Sequence, residues 1–253
     1  MRFASLGSGS KGNSALIQVG DTTVMLDCGF QISEAEARLA RLGVNAEDLD
    51  AILVTHEHGD HLNGVAKLAR RHHIPVWMTP GTFAAWRDSV VPRVHNLSPH
   101  DAFHIGDIEV QPFPVPHDAR EPCHYVFGDG SRRLGTLSDA GHVTPHMRER
   151  LSGCDALMVE FNYDEQMLRE GPYHRQLKER VGSDVGHLSN VQAAGLLAAV
   201  DCSKLKHLVL THLSETNNTP ELARAAACEA MGRDEPWMVC ASQSDGFGWK
   251  ALR

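Results

Sequence analysis

The chain is short of three things that would fix its class at once. None of its six cysteines (Cys28, Cys123, Cys154, Cys202, Cys228, Cys240) stands in a C-x-x-C pair. Scattered thiols of this kind point to reduced, mostly core cysteines and a cytoplasmic location. No stretch approaches the ~20 apolar residues of a membrane span. Met1-Arg2-Phe3-Ala4-Ser5-Leu6 runs into a Gly/Ser turn too early for a signal peptide, so no membrane partner is expected. Positive charge is scarce as well: 24 Lys and Arg face 32 Asp and Glu, a formal charge of -8. That balance argues against a general nucleic-acid binder, although a local basic patch can sit on an acidic protein. Linkers and low-complexity runs are also missing, and residues 1–253 read as one domain.

Histidine is what the chain has in quantity, and its placement carries the function. The organising stretch is Ala51-Ile52-Leu53-Val54-Thr55-His56-Glu57-His58-Gly59-Asp60-His61. Ala51 to Val54 reads as a short buried strand. His56 and His58 are two apart, so in an extended loop they point the same way. Asp60 and His61 are adjacent and point apart, so they can serve two centres. Leu62, Val65, Ala66 and Ala69 follow at helical spacing and predict a helix beginning at Asp60. Neutral imidazoles and carboxylates are the ligands that borderline divalent metals take.

Polar ligand types recur at other strand ends, the pattern of an α/β site on a sheet edge. Thr23 to Leu26 ends in Asp27, which is expected to brace the His56–His61 loop by a hydrogen bond. Val110 to Val115 ends at His117, Leu134 to Leu137 at Asp139, Ala156 to Val159 at Glu160, and Leu208 to Thr211 at His212. Leu53-Val54-Thr55-His56 and Val209-Leu210-Thr211-His212 are a faint internal echo of two similar halves. Seven candidates suffice for two metals: His56, His58 and His117 on the first, Asp60, His61 and His212 on the second, Asp139 bridging. Such pairs sit ~3.5–4 Å apart and share a water or hydroxide, and metal binding can bring the pKa of water toward ~7. The remaining histidines, His124 among them, read mostly as surface residues.

Three further segments bear on substrate. Gly7-Ser8-Gly9-Ser10-Lys11-Gly12-Asn13-Ser14 is not a P-loop, because Lys11 precedes Gly12 and a strand follows where a helix is needed. It reads as a glycine turn in which backbone N–H groups with Ser10 or Asn13 could accept phosphate. Gly171 to Arg180 is a turn and helix bearing Tyr173, Arg175, Lys178 and Arg180, expected to meet substrate phosphates. His187 precedes an apolar helix, Val191 to Ala199, capped by Ser189 or Asn190.

Asp27, the H-x-H-x-D-H run, His117, Asp139 and His212 closely resemble the metallo-β-lactamase fold superfamily, in its order and over the whole chain. The resemblance implies an α/β fold, a four-layer αββα sandwich, and a binuclear hydrolase whose nucleophile is a metal-bridging hydroxide. The metals expected are zinc first, then manganese or iron. True β-lactamases usually place cysteine at Asp139, and flavodiiron-type members Glu at His58; this chain has neither. Met158-Val159-Glu160-Phe161 and Gly186-His187-Leu188-Ser189 resemble the tRNase Z-like pair in which a Glu supports a proton-donating His. By that resemblance Asp60, Glu160 and His187 are the catalytic residues. Ser8 to Ser14, Ser138-Asp139-Ala140-Gly141 and Gly171-Pro172-Tyr173 further resemble the YycJ (WalJ)-type subgroup, which implies 5′-to-3′ exonuclease action on DNA. A small-molecule phosphodiesterase would share every motif. A glyoxalase II-like thioesterase or lactonase would leave Glu160 and His187 without a role.

Overall fold

A computed structural model describes residues 1–232 and 236–253. Its frame is two seven-stranded sheets. In chain order the first holds β1 (Arg2–Gly7), β2 (Ser14–Val19), β3 (Thr22–Leu26), β4 (Ala51–Leu53), β5 (Val76–Met78) and β6 (Val94–Asn96). The second holds β7 (Phe103–Ile105), β8 (Ile108–Pro114), β9 (Cys123–Gly128), β10 (Arg133–Leu137), β11 (Ala156–Glu160), β12 (His207–Thr211) and β13 (Met238–Cys240). The last strand, β14 (Phe247–Ala251), returns to pair with β1. Each sheet begins as an antiparallel meander and continues as parallel strands, from β3 to β6 and from β10 to β13.

The apolar runs in the sequence follow from burial on both faces, which removes the need for alternation. Along β3 and β4, Val24, Leu26, Ala51 and Leu53 face the other sheet. Met25 and Ile52 face outward, onto helices α1 (Ile32–Arg41) and α3 (Val65–His72). In the second sheet Ala156 and Met158 face inward. Leu157 and Val159 pack outward with α5 (Pro145–Leu151), α8 (Asn190–Ala199) and α9 (Pro220–Met231). Three stacked apolar layers between helix, sheet, sheet and helix make the expected αββα sandwich. Ser189 is the cap of α8: its Oγ accepts from Gln192 N–H while Gln192 Oε1 accepts from Ser189 N–H.

Three expectations need correction. The helix after Asp60 is two helices, α2 (Gly59–Leu62) and α3, parted at Asn63 and Gly64. Gly64 N–H donates to Cys28 O at 2.8 Å, and a Cβ there would lie 2.0 Å from Phe30 O. The helix breaks because its backbone is pressed against the Asp27–Phe30 loop. The echo between His56 and His212 does not mark equivalent strands: β4 is the second parallel strand of its sheet, β12 the third. Of the cysteines, Cys28, Cys123 and Cys154 are core thiols, whereas Cys202, Cys228 and Cys240 are half-buried.

The close approach at Gly64 makes a prediction. Gly64→Ala should destabilise the fold by about 1–3 kcal/mol, the usual overpacking cost. The measurement is the urea midpoint of the metal-free protein; an unchanged midpoint would mean that the loop yields freely.

Candidate metal centre

The strands deliver their ligands at one end. His56 and His58 follow β4, His117 follows β8, Asp139 follows β10, and His212 follows β12. Side-chain nitrogens of His56, His58 and His117 cluster within 4.8 Å of one another, and so do those of His61 and His212 with oxygens of Asp60 and Asp139. Asp139 joins the two groups: its Oδ2 lies 3.0 Å from His61 Nε2 and its Oδ1 3.8 Å from His117 Nε2. All seven sequence candidates are therefore in one place.

The far side of each ring fixes which nitrogen faces the centre. His61 Nδ1 donates to Asp27 Oδ2 at 2.8 Å, and Asp27 is further held by Thr55 N–H and Oγ1. His117 Nδ1 donates to Gly186 O at 2.9 Å. His212 Nδ1 donates to Glu160 Oε1 at 3.0 Å. These bonds turn Nε2 of each ring inward, where it can coordinate a metal once it carries no proton. His58 is reversed: its Nε2 meets Asp118 O at 3.2 Å, so its Nδ1 turns inward, 3.1 Å from His117 Nε2. His56 Nε2, His212 Nε2 and Asp139 Oδ2 are buried without a hydrogen-bond partner. Converging acceptors of this kind repel one another unless a cation lies among them. The residues fit a divalent metal site.

The electrostatics agree. Burial keeps His56 well below the usual imidazole range and lowers His117. Burial would lower His61 too, but Asp139, Asp60 and Asp27 outweigh it and hold it well above that range. His212 is likewise raised to about 10, by Asp139, Asp60 and Glu160 against burial. Without a metal, protons fill the second group. Asp27, Asp139 and His212 all adopt left-handed backbone, with φ of 55°, 51° and 53°. Such strain persists where surrounding contacts enforce it.

Glu160, fully buried at the end of β11, serves two rings with one oxygen. Its Oε1 accepts from His187 Nδ1 at 2.7 Å and from His212 Nδ1 at 3.0 Å. Its Oε2 accepts from Ala140 N–H and Leu188 N–H. Burial alone would raise its pKa; His187 and His212 outweigh that and lower it to about 2. The ionised carboxylate in turn raises His187 against the effect of burial.

Beside the cluster is a cleft of about 360 Å³, lined by Asp60, Asp139, His187 and His212 together with Ser10, Tyr173 and Arg180. Three expected substrate residues, Asn13, Arg175 and Lys178, do not line it. On helix α7 (Arg175–Val181), Arg175 is tied to Glu179, and Lys178 donates to Arg169 O; neither lines the cleft. Only one face of a short helix can turn inward. Asn13 is buried, its Nδ2 3.2 Å from Asp60 Oδ2 and its Oδ1 accepting from Gly9 N–H. It supports Asp60 from behind and is not a phosphate contact. The sequence reading missed Asp118, whose Oδ2 holds Arg180 Nε at 2.6 Å inside the cleft; its place directly after His117 was the available signal. It also put His124 on the surface, where the structure buries it.

The sequence profile described as the beta-lactamase superfamily domain matches residues 22–213, and the chain belongs to that superfamily. Within it, the chain is 37% identical over 235 residues to the exodeoxyribonuclease YycJ of Bacillus anthracis, spanning 91% of this chain and 89% of that protein. It is 35% identical to the exodeoxyribonuclease WalJ of Streptococcus pneumoniae serotype 2, over 88% and 85% of the two chains. Among solved structures, the metallo-β-lactamase fold protein YhfI of Bacillus subtilis superposes with a TM-score of 0.77 over 98% of each chain, at 18% identity. The protein is thus a member of a family of metal-dependent hydrolases.

Because His61 and His212 carry protons that a metal must displace, metal uptake at pH 7 should release a proton from each. Titration calorimetry in buffers of differing ionisation enthalpy measures this number; a value of zero would mean that the rings are already bare. Asp139→Ala should weaken binding at both groups, whereas His56→Ala should mainly empty one, as elemental analysis would read.

Proposed function

We propose that residues 1–253 act as one domain, a cytoplasmic exonuclease that removes nucleotides from DNA in the 5′-to-3′ direction. The reading includes two bound divalent metals, zinc first, with manganese or iron as the alternatives. The observation that carries it is His187, which lines the cleft beside the candidate metal ligands and is held from behind by buried Glu160. Its weight comes with the two exodeoxyribonuclease relatives, which match nearly the whole chain. A thioester needs no such acid, because its thiolate departs more readily than a sugar alkoxide.

Bound divalent ions would supply an activated water at neutral pH and neutralise phosphate charge. The chain's own groups do the rest. Glu160 holds His187 by Nδ1, which leaves Nε2 on the cleft side to carry a proton to the departing sugar oxygen. Glu160, ionised, favours the protonated form of that ring against the effect of burial. Asp60, steadied by Asn13, lines the cleft where the attacking water must lie and orients it. Ser10, Tyr173 and Arg180 bound the space for the neighbouring nucleotide. For Arg180 to grip a phosphate it must exchange its contact with Asp118 for the substrate, an exchange open to a partly exposed ion pair.

Purified protein with end-labelled DNA and RNA, in zinc, manganese and iron, tests the reading; internal cleavage only, or no nucleic-acid cleavage, would overturn it. His187→Ala should keep its metals and lose about 10²–10⁴-fold in rate on DNA. The loss should shrink on a p-nitrophenyl phosphodiester, whose leaving group departs without a proton. Equal losses on both substrates would make His187 a binding residue. Arg180→Ala should weaken DNA binding and reduce the slope of log affinity against log salt by about 1. Arg175→Ala and Lys178→Ala, outside the cleft, should change that slope less.

A further inference from the structure

Between the sheets lies a small cavity of about 40 Å³ whose lining includes the polar residues Ser14, Asp27, His61, His124 and Ser138. Interfaces between two sheets are ordinarily filled by apolar side chains, as the rest of this one is. On two of the lining residues a side-chain atom, Ser14 Oγ and His124 Nδ1, is buried without a hydrogen-bond partner. His124 itself is 2% exposed, and none of the roles assigned above uses it.

The other ring nitrogen has a definite task. The antiparallel ladder of β9 and β10 is last paired at Gly135↔Val126. Three residues further on, Ser138 N–H donates to His124 Nε2 at 3.1 Å. A side chain thus takes the amide that the ladder no longer reaches. The next residue is Asp139, in its left-handed conformation, with the carboxylate that joins the two ligand groups. On its other side Ala140 N–H is held by Glu160 Oε2 and Gly141 N–H by Pro116 O. The turn is pinned on both flanks: before Asp139, β10 stays paired with β11 up to Leu137↔Val159, and beyond that point His124 holds the Ser138 amide.

Accepting at Nε2 obliges a neutral ring to carry its proton at Nδ1, and that N–H is the orphan. A water needs ~10–15 Å³ and two or more polar partners; the cavity offers the room, and Ser14 Oγ a second partner. We propose that His124 is a positioning residue of the metal centre. Its Nε2 fixes the Ser138 amide and with it the turn that aims Asp139, while a water shared with Ser14 Oγ holds the ring in the Nδ1–H tautomer. The inference concerns the metal centre and stands whatever substrate the enzyme takes.

Three variants and two spectroscopic readings test it. His124→Leu keeps the volume and removes the acceptor; zinc affinity, measured by chelator competition, should fall about 10–100-fold, the usual effect of losing a partner behind a ligand. His124→Gln, whose amide oxygen reaches the place of Nε2, should restore most of that affinity. His124→Asn, with its oxygen one bond short, should not. If His124→Leu fails to fold, the Gln and Asn pair decides alone. In the metal-free protein the Ser138 amide should be protected from exchange in the parent and in His124→Gln, and unprotected in His124→Asn. Nitrogen shifts of the His124 ring should report protonated Nδ1 and bare Nε2. Equal zinc affinity in the Gln and Asn variants, or the opposite tautomer, would overturn the role. A high-resolution crystal structure with a dry cavity would overturn the water link.

Discussion

The carboxylate of Asp139 is the constraint on which the site depends. It sits where the second sheet ends, yet one oxygen reaches His61 from the first sheet, and the other faces His117, His187 and His212. Two sheets packed face to face bring their parallel ends to a common edge, but they do not by themselves align lone pairs. That alignment requires Asp139 to adopt an unfavourable backbone conformation, held by hydrogen bonds from neighbouring segments. The apolar core between the sheets supplies the rigidity that makes such strain affordable: Ala51, Leu53, Ala156, Met158 and Val209 lie within a few positions of the ligands.

Behind each ligand stands a group with no direct claim on the centre. Asp27 sets the tautomer of His61, Gly186 O that of His117, and Asp118 O that of His58. Glu160 differs from these in serving both His212, a candidate ligand, and His187, the proposed acid beside it. One carboxylate oxygen therefore links the metal side of the cleft to the leaving-group side. A change at Glu160 must be felt at both, so its effect on rate cannot be divided between binding and proton transfer by a single substitution.

Much of this could be read from the sequence because burial on both faces leaves plain marks. Strands β3, β4, β11 and β12 carry or lead into continuous apolar stretches, Val24 to Leu26, Ala51 to Val54, Ala156 to Val159 and Leu208 to Leu210, and a polar residue closes each. The ligands, Asp27, and the Glu160–His187 pair were legible on that basis. What was not legible depended on contacts between distant segments. Nothing local says that the helix after Asp60 must break at Gly64, since the obstacle is Phe30 O. Asn13 has the composition of a phosphate loop, but its amide is claimed by Gly9 and Asp60. Arg175, Lys178 and Arg180 look alike in sequence, and only the rotation of α7 selects Arg180. His124 lies on a strand of mixed character, and its burial follows from the point where the β9–β10 ladder ends.

The charge of -8 is compatible with a polyanionic substrate once the charges are placed. Four carboxylates, Asp27, Asp60, Asp139 and Glu160, belong to the centre, and two divalent ions would offset them in full. His187, whose protonated form Glu160 favours, then leaves the cleft positive. Arg180 is neutralised by Asp118 only until a phosphate competes for it. The remaining acidic surface repels nucleic acid over distances of about 8–10 Å at ordinary salt, and it therefore weakens loose binding along a duplex. Attraction confined to a cleft of about 360 Å³ favours a substrate that can insert a strand end over one that must be gripped from the side. On the proposed reading, global acidity and local positive charge would act together to favour strand ends.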